Sequence, residues 1–375
     1  MKITVRINEF KRVLEEARCV IPPKPTVPSW GYVKVDVFSD KRATIASGDL
    51  PISLIQPFEV VDGDTGSFLL HPKKAYDFLK GYKGGTATIE ADDSISIIQV
   101  GKATAKISTF PVNKFPSVES MPEIKYTISL KFVKRLLERV EKACPNKVDK
   151  YSVPLVRFEG NGKGLRAVAS DGFRIAIADA PCDCGEFTFQ IPKGCLPVLK
   201  RRVGATFQLA ESEISFFFRT EHGVITQVRK PMWKFPPYQR ALALTDFKTE
   251  LKMQASALKE GVKQVETTID GKIPAITLTV GESGLRLSSA SEYGASETEV
   301  AATVSGIGNE VKINHNFIQD FLALAEGEIM VQLIDAKNLV KFSNGANYIY
   351  LVMPILPKEP KKEVAAQESP SPISA

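Results

Sequence analysis

Along this chain, short stretches in which apolar and polar residues alternate are interrupted by segments whose apolar residues recur with helical spacing. Such a row of apolar residues forms a stripe along one side of a helix. Residues 3–17, ITVRINEFKRVLEEA, begin with alternation and continue with apolar residues at positions i, i+3, i+4 and i+7. Alternation predicts a half-buried strand, and the second spacing predicts an amphipathic helix. The helical positions are Phe10, Val13, Leu14 and Ala17. This segment therefore predicts a strand that leads directly into a helix.

The same strand and helix pattern occurs three times, which indicates an internal repeat. The second copy is residues 126–140, with its stripe at Val133, Leu136, Leu137 and Val140. The third copy is residues 250–265, with its stripe at Leu258, Gly261, Val262 and Val265.

A second helix is predicted later in each copy. Its apolar positions are Ala75, Phe78, Leu79 and Tyr82 in the first copy, Cys195, Val198 and Leu199 in the second, and Ile318, Phe321, Leu322 and Ala325 in the third. We therefore predict an α+β fold of three tandem repeats, each with two helices packed on antiparallel sheets. The predicted domains are residues 1–124, 125–245 and 246–357. Residues 358–375, rich in Pro, Ser, Lys and Glu, are predicted to be a disordered tail.

Positive charge is concentrated in the middle of the chain. The whole chain has 49 basic and 43 acidic residues. Residues 1–124 contain 16 and 15 of these, residues 125–245 contain 21 and 11, and the remainder contains 12 and 17. A basic middle third favours an acidic polymer as partner, although a merely solvated surface explains the charge equally well. Without a long apolar run or an apolar leader, the chain is expected to be cytoplasmic and free of membrane contacts.

Catalytic and metal-binding motifs are not evident. His71, His222 and His315 lie outside any hydrolase or zinc motif, and no phosphate-binding glycine loop is present. Asp171-Gly172-Phe173 is better interpreted as a turn than as a kinase fragment. Cys182 and Cys184 lack a second pair with zinc spacing. We expect no metal, no cofactor and no enzymatic activity.

Each predicted helix of the first two copies has basic residues opposite its apolar stripe, whereas the helices of the third copy carry Glu260, Asp320 and Glu326 beside Lys259 and Lys263. The basic residues of the first two copies are Lys11 and Arg12, then Lys73, Lys74, Lys80 and Lys83, then Lys134, Arg135 and Arg139, then Lys193, Lys200, Arg201 and Arg202. A helix that buries one stripe exposes its other side, so the repeat predicts a common basic surface suited to phosphates. Aromatic residues are not interleaved there, which argues against stacking on single strands.

Several segments make the chain resemble the bacterial DNA polymerase III beta subunit, the sliding clamp family. They are MKITV at 1–5, KPTVP at 24–28, RAVASDGFRIAIADA at 166–180, WKFPPYQRAL at 233–242 and YLVMPIL at 350–356. The resemblance implies three DNA clamp domains that join head to tail with a second copy, forming a closed ring of two subunits. Such a homodimer encircles double-stranded DNA without reading its sequence. It tethers the replicative DNA polymerase and other clamp-binding-motif proteins, and a clamp loader places it on DNA.

The resemblance also assigns residues to three sites. Lys24, Lys147 and Tyr151, in loops, join Lys73, Lys80, Lys83, Arg135, Arg139, Lys200, Arg201 and Arg202 as expected DNA contacts. The expected partner-peptide groove, between the middle and last domains, is formed by Val153, Ser170, Gly172, Phe173, Arg174, Ile175, Pro236, Arg240, Asn314, Phe317, Leu351, Met353, Pro354 and Ile355. Its two arginines are expected to meet peptide carbonyls or an acidic group. The expected subunit contact pairs Ala105 and Ile107 with Thr267 and Thr268. The resemblance implies larger apolar residues at such positions, so a looser dimer than is usual in the family is expected.

Two other classes of protein are compatible with parts of this pattern. A clamp-like module could bind replication peptides without encircling DNA. A hydrolase or carbohydrate-active enzyme could use a repeated β-rich fold, although no set of catalytic residues supports it. Retention on circular DNA with release after linearisation distinguishes the ring from the module.

Overall fold

The computed structural model describes residues 1–270 and 274–356, so the predicted tail at 358–375 lies outside the described residues. Two compact units are formed: Met1–Ala243 together with Ser343–Leu351, and Leu244–Phe342 together with the chain from Val352. The predicted boundary at 245 lies close to the start of the second unit, whereas the boundary at 124 lies inside the first. The division into three domains therefore stays a prediction.

The first half of the first unit surrounds one apolar core. The predicted positions of its first helix, Phe10, Val13, Leu14 and Ala17, are all fully buried there, as the helical spacing requires. The elements are β1 Lys2–Arg6, α1 Ile7–Arg18, β2 Val33–Val37, β3 Arg42–Asp49, β4 Ile52–Gly63, β5 Gly66–Leu70, α2 Pro72–Leu79, β6 Thr86–Ala91, β7 Ile95–Val100 and β8 Ala103–Ser108.

The second half repeats the opening strand and helix, which confirms that part of the predicted pattern. Its later helix begins with a 3₁₀ turn over Lys193–Cys195, so the predicted position Cys195 precedes the α-helix and Val198 and Leu199 lie within it. The elements are β9 Tyr126–Ser129, α3 Leu130–Val140, β10 Leu155–Ser170, β11 Arg174–Pro192, α4 Leu196–Lys200, β12 Thr206–Glu211, β13 Ser215–Thr220, β14 Ile225–Arg229 and α5 Gln239–Leu242.

The second unit contains the third copy of the strand and helix, followed by a second helix as predicted. Its elements are β15 Thr249–Gln254, α6 Ala255–Glu266, β16 Ala275–Val280, β17 Gly284–Ser291, β18 Gly294–Ala301, β19 Thr303–Gly306, β20 Glu310–Asn314, α7 His315–Leu322, β21 Glu328–Leu333 and β22 Val340–Ser343. The last strand, β23 Tyr348–Val352, belongs to the first unit as far as Leu351.

One antiparallel sheet runs through both halves of the first unit, in the order β8-β7-β6-β1-β4-β14-β13-β12-β9. The long strand β4 makes this possible, because its last residues pair with β1 while Ile52–Ile55 pair with Ile225–Val228 of β14. β10 and β11 form a long hairpin, with β23 next to β11. The strand orders in the second unit are β18-β17-β16-β20 and β22-β21-β15-β19.

Gly261 is required by close packing of α6 on its sheet. A Cβ atom at this position would lie 2.6 Å from Cγ2 of Val300 and 2.9 Å from Cδ1 of Leu287. Both contacts are tighter than van der Waals separation, and both neighbours are buried. The glycine within the predicted apolar stripe therefore marks a close approach of α6 to its sheet.

We predict that Gly261→Val lowers the free energy of unfolding by about 1–3 kcal/mol, because the added methyl groups overpack this contact. Chemical denaturation measures the change, with Lys259→Val as the control on the exposed side of α6. Equal stability of the two variants would contradict the packing argument.

Candidate functional site

The basic residues of α2 and the following turn project into solvent, as the helical pattern predicts. Lys73, Lys80 and Lys83 are exposed, and Nζ of Lys80 lies 3.7 Å from a carboxylate oxygen of Asp77. An exposed pair of this length contributes little and leaves the ammonium group available to phosphate. The apolar side of α2 is buried through Ala75 and Leu79. These lysines therefore occupy the side of α2 that the core does not use.

The basic residues of α3 and α4 differ in how far they are already paired. Arg135 is exposed, as is Arg201, whose Nη1 lies 2.5 Å from Sγ of Cys19. Nζ of Lys200 donates to both carboxylate oxygens of Glu141, at 2.8 and 3.0 Å. The Arg139 guanidinium stacks 5.1 Å from the ring of Tyr348 and donates to the Asn347 carbonyl. Arg135 and Arg201 are consequently the most accessible arginines of this set.

Arg202 does not lie on the exposed basic surface, contrary to the sequence prediction. Its side chain is 2% exposed, Nη1 donates to Glu16 at 3.1 Å, and Nε donates to the Val198 carbonyl. A buried cation with these partners joins α4 to α1 and cannot reach a phosphate in solvent. Arg202 is therefore a structural residue, and we remove it from the expected DNA contacts.

Loop residues carry the remaining expected DNA contacts. Lys24, Lys147 and Tyr151 are all exposed and lie outside helices and strands. The loop that contains Lys147 and Tyr151 is fixed by Asp149, whose Oδ1 accepts from the amides of Tyr151 and Ser152 at 2.7 and 2.8 Å. These hydrogen bonds lower the pKa of the Asp149 carboxyl, so the turn is capped at neutral pH. Tyr151, in this turn, is 66% exposed.

An apolar surface lies beside the small core formed by Leu155, Val168, Ile177, Phe235 and Tyr238. Val153 and Ile175, both expected in the partner groove, pack half-buried against this core. Leu242 and Ile349 do the same, although neither was predicted from the sequence to lie in the groove. Two signals in the sequence could have identified them. Ile349 alternates with two tyrosines in a strand-like segment, and Leu242 ends the short segment QRAL that forms α5. We call these four residues the apolar row.

The turn between β10 and β11 is the Asp-Gly turn that the sequence predicts. Oδ1 of Asp171 accepts from the amides of Phe173 and Arg174 at 3.0 Å each, and Gly172 has a φ of 86°. That φ favours glycine. Ser170 is buried and donates to the Arg174 carbonyl, whereas Phe173 is 62% exposed. An aromatic ring is thus presented at the tip of a rigid turn.

Arg174 is not available as a ligand, which corrects the role expected for it. The residue is 9% exposed, and its guanidinium donates to Asp171, to the hydroxyl of Tyr350 and to the carbonyl of Lys142. A partner peptide would have to break these bonds to reach it. Arg240, the second expected arginine, is exposed on α5.

The segment that carries Pro236 and Arg240 is anchored by aromatic residues. Phe235 and Tyr238 enter the small core, and the Tyr238 hydroxyl donates to Oε2 of Glu159 at 2.7 Å. Burial and the neighbouring Glu159 carboxylate raise the pKa of Tyr238 to about 12, so the hydroxyl stays protonated as a donor. The half-buried Pro236 and the exposed Arg240 are therefore held at fixed positions beside the apolar row.

The other expected groove residues lie at the end of β20, in α7, and in or beyond β23. Leu351 and Pro354 are buried, Phe317 and Ile355 are half-buried, and Met353 is 42% exposed. Asn314 caps α7 by accepting from the Asn316 amide at 3.0 Å. The Ile355 amide donates to the Lys312 carbonyl at 2.7 Å. Their joint role in a groove stays a prediction.

Strands β8 and β18 each lie at the edge of a sheet. Among the described residues β8 pairs only with β7, and β18 pairs only with β17. Ala105 and Ile107 of β8 are half-buried, and Ile107 packs on the first core. Thr267 is exposed, whereas the Thr268 hydroxyl lies 2.6 Å from the hydroxyls of Ser289 and Ser296. Thr268 therefore has a role within its own unit.

Within residues 1–270 and 274–356, no three His, Cys, Asp or Glu side chains are grouped to hold a metal ion. Burial raises the pKa of Cys144 and Cys195 to about 12, so these thiols stay protonated. None of the helices in the described ranges combines the length and the apolar character needed to cross a membrane.

Comparison with solved structures gives the class of fold. The DNA polymerase III beta subunit of Pseudomonas aeruginosa superposes with a TM-score of 0.86 at 21% identity, covering 95% of this chain and all of the other. The Bacillus subtilis sliding clamp gives a TM-score of 0.86 at 19% identity, covering 96% and 100%. The fold is therefore that of the sliding clamps, which confirms the predicted α+β fold class.

Sequence comparison gives the family. Models of the N-terminal and C-terminal domains of the DNA polymerase III beta subunit match residues 1–119 and 241–359. The beta sliding clamp of Escherichia coli K12 is 24% identical over 371 residues, covering 95% of this chain and all of the relative. That of Synechocystis is 23% identical, covering 95% and 99%. The chain belongs to the DNA polymerase III beta subunit family, as the resemblance indicated.

We predict that replacing Arg202 lowers the stability of the protein, whereas replacing the adjacent Arg201 weakens DNA binding. Arg202→Met lowers the free energy of unfolding by about 2 kcal/mol, because it removes buried charged hydrogen bonds. It leaves the exposed positive charge that attracts DNA nearly unchanged. Arg201→Met leaves stability within about 0.5 kcal/mol and weakens DNA binding. Urea denaturation and DNA titration at matched salt measure the two effects. A stable Arg202→Met variant with weakened DNA binding would contradict this assignment.

Proposed function

We propose that this chain is a non-catalytic processivity clamp of DNA replication, and that its place of action is the cytoplasm. Two copies join head to tail into a ring of six domains, three per chain, that encircles duplex DNA and tethers the replicative DNA polymerase. The observation that supports this proposal most strongly is a sliding-clamp fold over 95% of the chain. The exposed cations on helix sides opposite the buried stripes support it independently.

Duplex DNA is attracted through its phosphates and not through its bases. Lys73, Lys80, Lys83, Arg135 and Arg201 are accessible point charges for this purpose, and Lys24, Lys147 and Tyr151 add contacts from loops. Such contacts depend on salt and carry no sequence information. Weak attraction permits sliding, while closure of the protein ring prevents escape. The third repeat contributes less, because Glu260 of α6 is exposed beside Lys259 and Lys263.

The free edges of β8 and β18 are proposed to meet across the subunit contact. An unpaired strand edge can continue its sheet into a second chain. Lys106 is exposed on β8, and Glu297 and Glu299 are exposed on β18, so the two edges carry opposite charges. A head-to-tail contact of this kind closes only when the rotation between copies is correct. The dimer and the ring are therefore one proposal.

The apolar row, with Phe173, Pro236 and Arg240 beside it, is proposed to bind an apolar segment of partner proteins. Half-buried aliphatic side chains, two of them on strands β11 and β23, can bury a peptide with little reorganisation. An exposed arginine at the margin offers donors to peptide carbonyls. The polymerase, the clamp loader and other clamp-binding-motif proteins would share this site. The residues beyond β23 enter the proposal through the family resemblance.

We predict that the protein, loaded by its matched clamp loader, stays on nicked circular duplex DNA and leaves after the circle is linearised. The physical reason is that a closed ring is retained by topology, whereas linear DNA has an end over which the ring slides off. Gel filtration of labelled protein with DNA, before and after restriction cleavage, measures retention.

The control for loading is a circle incubated without loader. Loss from intact circles, with loader binding demonstrated, would favour the alternative of a clamp-like peptide-binding module. Retention that is unaffected by linearisation would indicate a grip on DNA and would also contradict the proposal.

The dimer is predicted to weaken as salt rises, because opposite charges on two exposed edges are screened over roughly 8 Å at physiological ionic strength. Lys106→Glu should weaken it further, with Lys163→Glu, an exposed residue of the β10–β11 hairpin, as the control. Sedimentation velocity across a dilution series measures dissociation. A dimer that remains stable at nanomolar concentration in high salt would contradict the expected loose contact.

A further inference from the structure

We propose that Arg174 is a positioning residue that holds the partner groove in shape from beneath, without contacting the partner. The inference deepens the proposed function and rests on it for the identity of the groove. In this proposal Arg174 fixes three elements: the Asp171–Arg174 turn, β23 and the chain that follows α3. The partner is the same apolar peptide segment that the apolar row binds.

Three different nitrogens of the Arg174 guanidinium are committed to three separate elements. Nε donates to Oδ2 of Asp171 at 2.9 Å, Nη1 donates to the Tyr350 hydroxyl at 2.8 Å, and Nη2 donates to the Lys142 carbonyl at 2.6 Å. The guanidinium also lies 6.0 Å from the centre of the Tyr350 ring. Only 10% of the side chain is exposed. Its directed donors therefore point into the protein.

The first of these bonds controls the tip of the turn. Asp171 uses Oδ2 for Arg174, while Oδ1 accepts from the amides of Phe173 and Arg174. Rotation of the carboxylate would break the amide bonds, and Phe173 is the residue that would move. Phe173 is 62% exposed and lies beside Ile175 of the apolar row. The direction of the Phe173 side chain therefore determines the shape of the groove next to Ile175.

The other two bonds fix the elements on either side. Lys142 lies in the 3₁₀ turn Glu141–Ala143 that directly follows α3, and Tyr350 is the neighbour of Ile349 in β23. The Tyr348 hydroxyl independently donates to the Arg139 carbonyl of α3 at 3.2 Å. Arg174 is thus the point where the turn, the end of α3 and the strand carrying part of the apolar row are tied together.

An arginine is needed because its planar group can donate in three directions at once. A lysine would keep the positive charge but would have one nitrogen at the end of a flexible chain. It could satisfy one or two of the three acceptors and would leave the others without a charged donor. The variant Arg174→Lys therefore separates geometry from charge.

The test measures the free protein and the peptide complex together. On the peptide-free protein, hydrogen exchange of residues 171–175 is expected to quicken in Arg174→Lys and, to a smaller extent, in Tyr350→Phe. Binding of a fluorescein-labelled clamp-binding-motif peptide from the replicative polymerase is expected to weaken by about tenfold in Arg174→Lys and several-fold in Tyr350→Phe. Tyr350 is 1% exposed, so its hydroxyl can act only through Arg174 or its surroundings.

Arg240→Lys is the matched comparison, because Arg240 is exposed beside the groove and is expected to contact the peptide directly. It should weaken binding while exchange in residues 171–175 stays as in the wild type. The inference is wrong if Arg174→Lys also weakens peptide binding without changing exchange in residues 171–175, while Tyr350→Phe binds the peptide normally. Arg174 would then contact the peptide directly.

Unchanged exchange and unchanged binding in both Arg174→Lys and Tyr350→Phe would also overturn the inference. If wild-type protein binds no peptide, the proposed groove fails, and the exchange measurement still decides whether Arg174 holds the turn. Thermal unfolding is followed throughout, and should Arg174→Lys fail to fold, the Tyr350→Phe comparison decides the matter.

Discussion

Each helix of this protein can bury only one side against its sheet, and this constraint decides which charges reach solvent. The stripe Phe10, Val13, Leu14 and Ala17 of α1 is fully buried, and α3 and α6 repeat the arrangement. Each large apolar side chain buried in this way contributes roughly 1.5–3 kcal/mol, far more than an exposed ion pair. The charged residues must therefore take the opposite side. The proposed attraction to DNA is a consequence of how the cores are packed.

A second consequence of packing is that the two halves of the first unit are one body. β4 pairs with β1 and β14 in a continuous sheet, so backbone hydrogen bonds cross the junction. On the helical side, the buried Arg202 pairs with Glu16 and joins α4 to α1. Resistance to bending at this junction would fix the angle between successive repeats, which a ring built from repeats requires.

Arginines of this chain show that residue type alone does not assign a role. Arg135 and Arg201 are exposed, Arg202 is buried in an ion pair, and Arg174 holds three backbone and side-chain partners. In the sequence Arg135, Arg201 and Arg202 are basic residues of predicted helices, and Arg174 lies within a segment that resembles the family. Their difference arises from residues distant in the chain, such as Tyr350 for Arg174 and Glu16 for Arg202. Local spacing carries no information about such partners.

The sequence by itself determined the strand and helix repeats, the buried positions of α1, α3 and α6, the Asp-Gly turn and the family, because periodicity and local turn chemistry are properties of neighbouring residues. Through the resemblance it also predicted Val153 and Ile175 for the partner groove, and both pack against the same small core. Only the tertiary structure decided that Gly261 permits close packing, that Leu242 and Ile349 extend the apolar row, and that Arg202 and Arg174 are enclosed. Those outcomes depend on contacts between segments that are far apart in the chain, and burial is settled only when these segments pack.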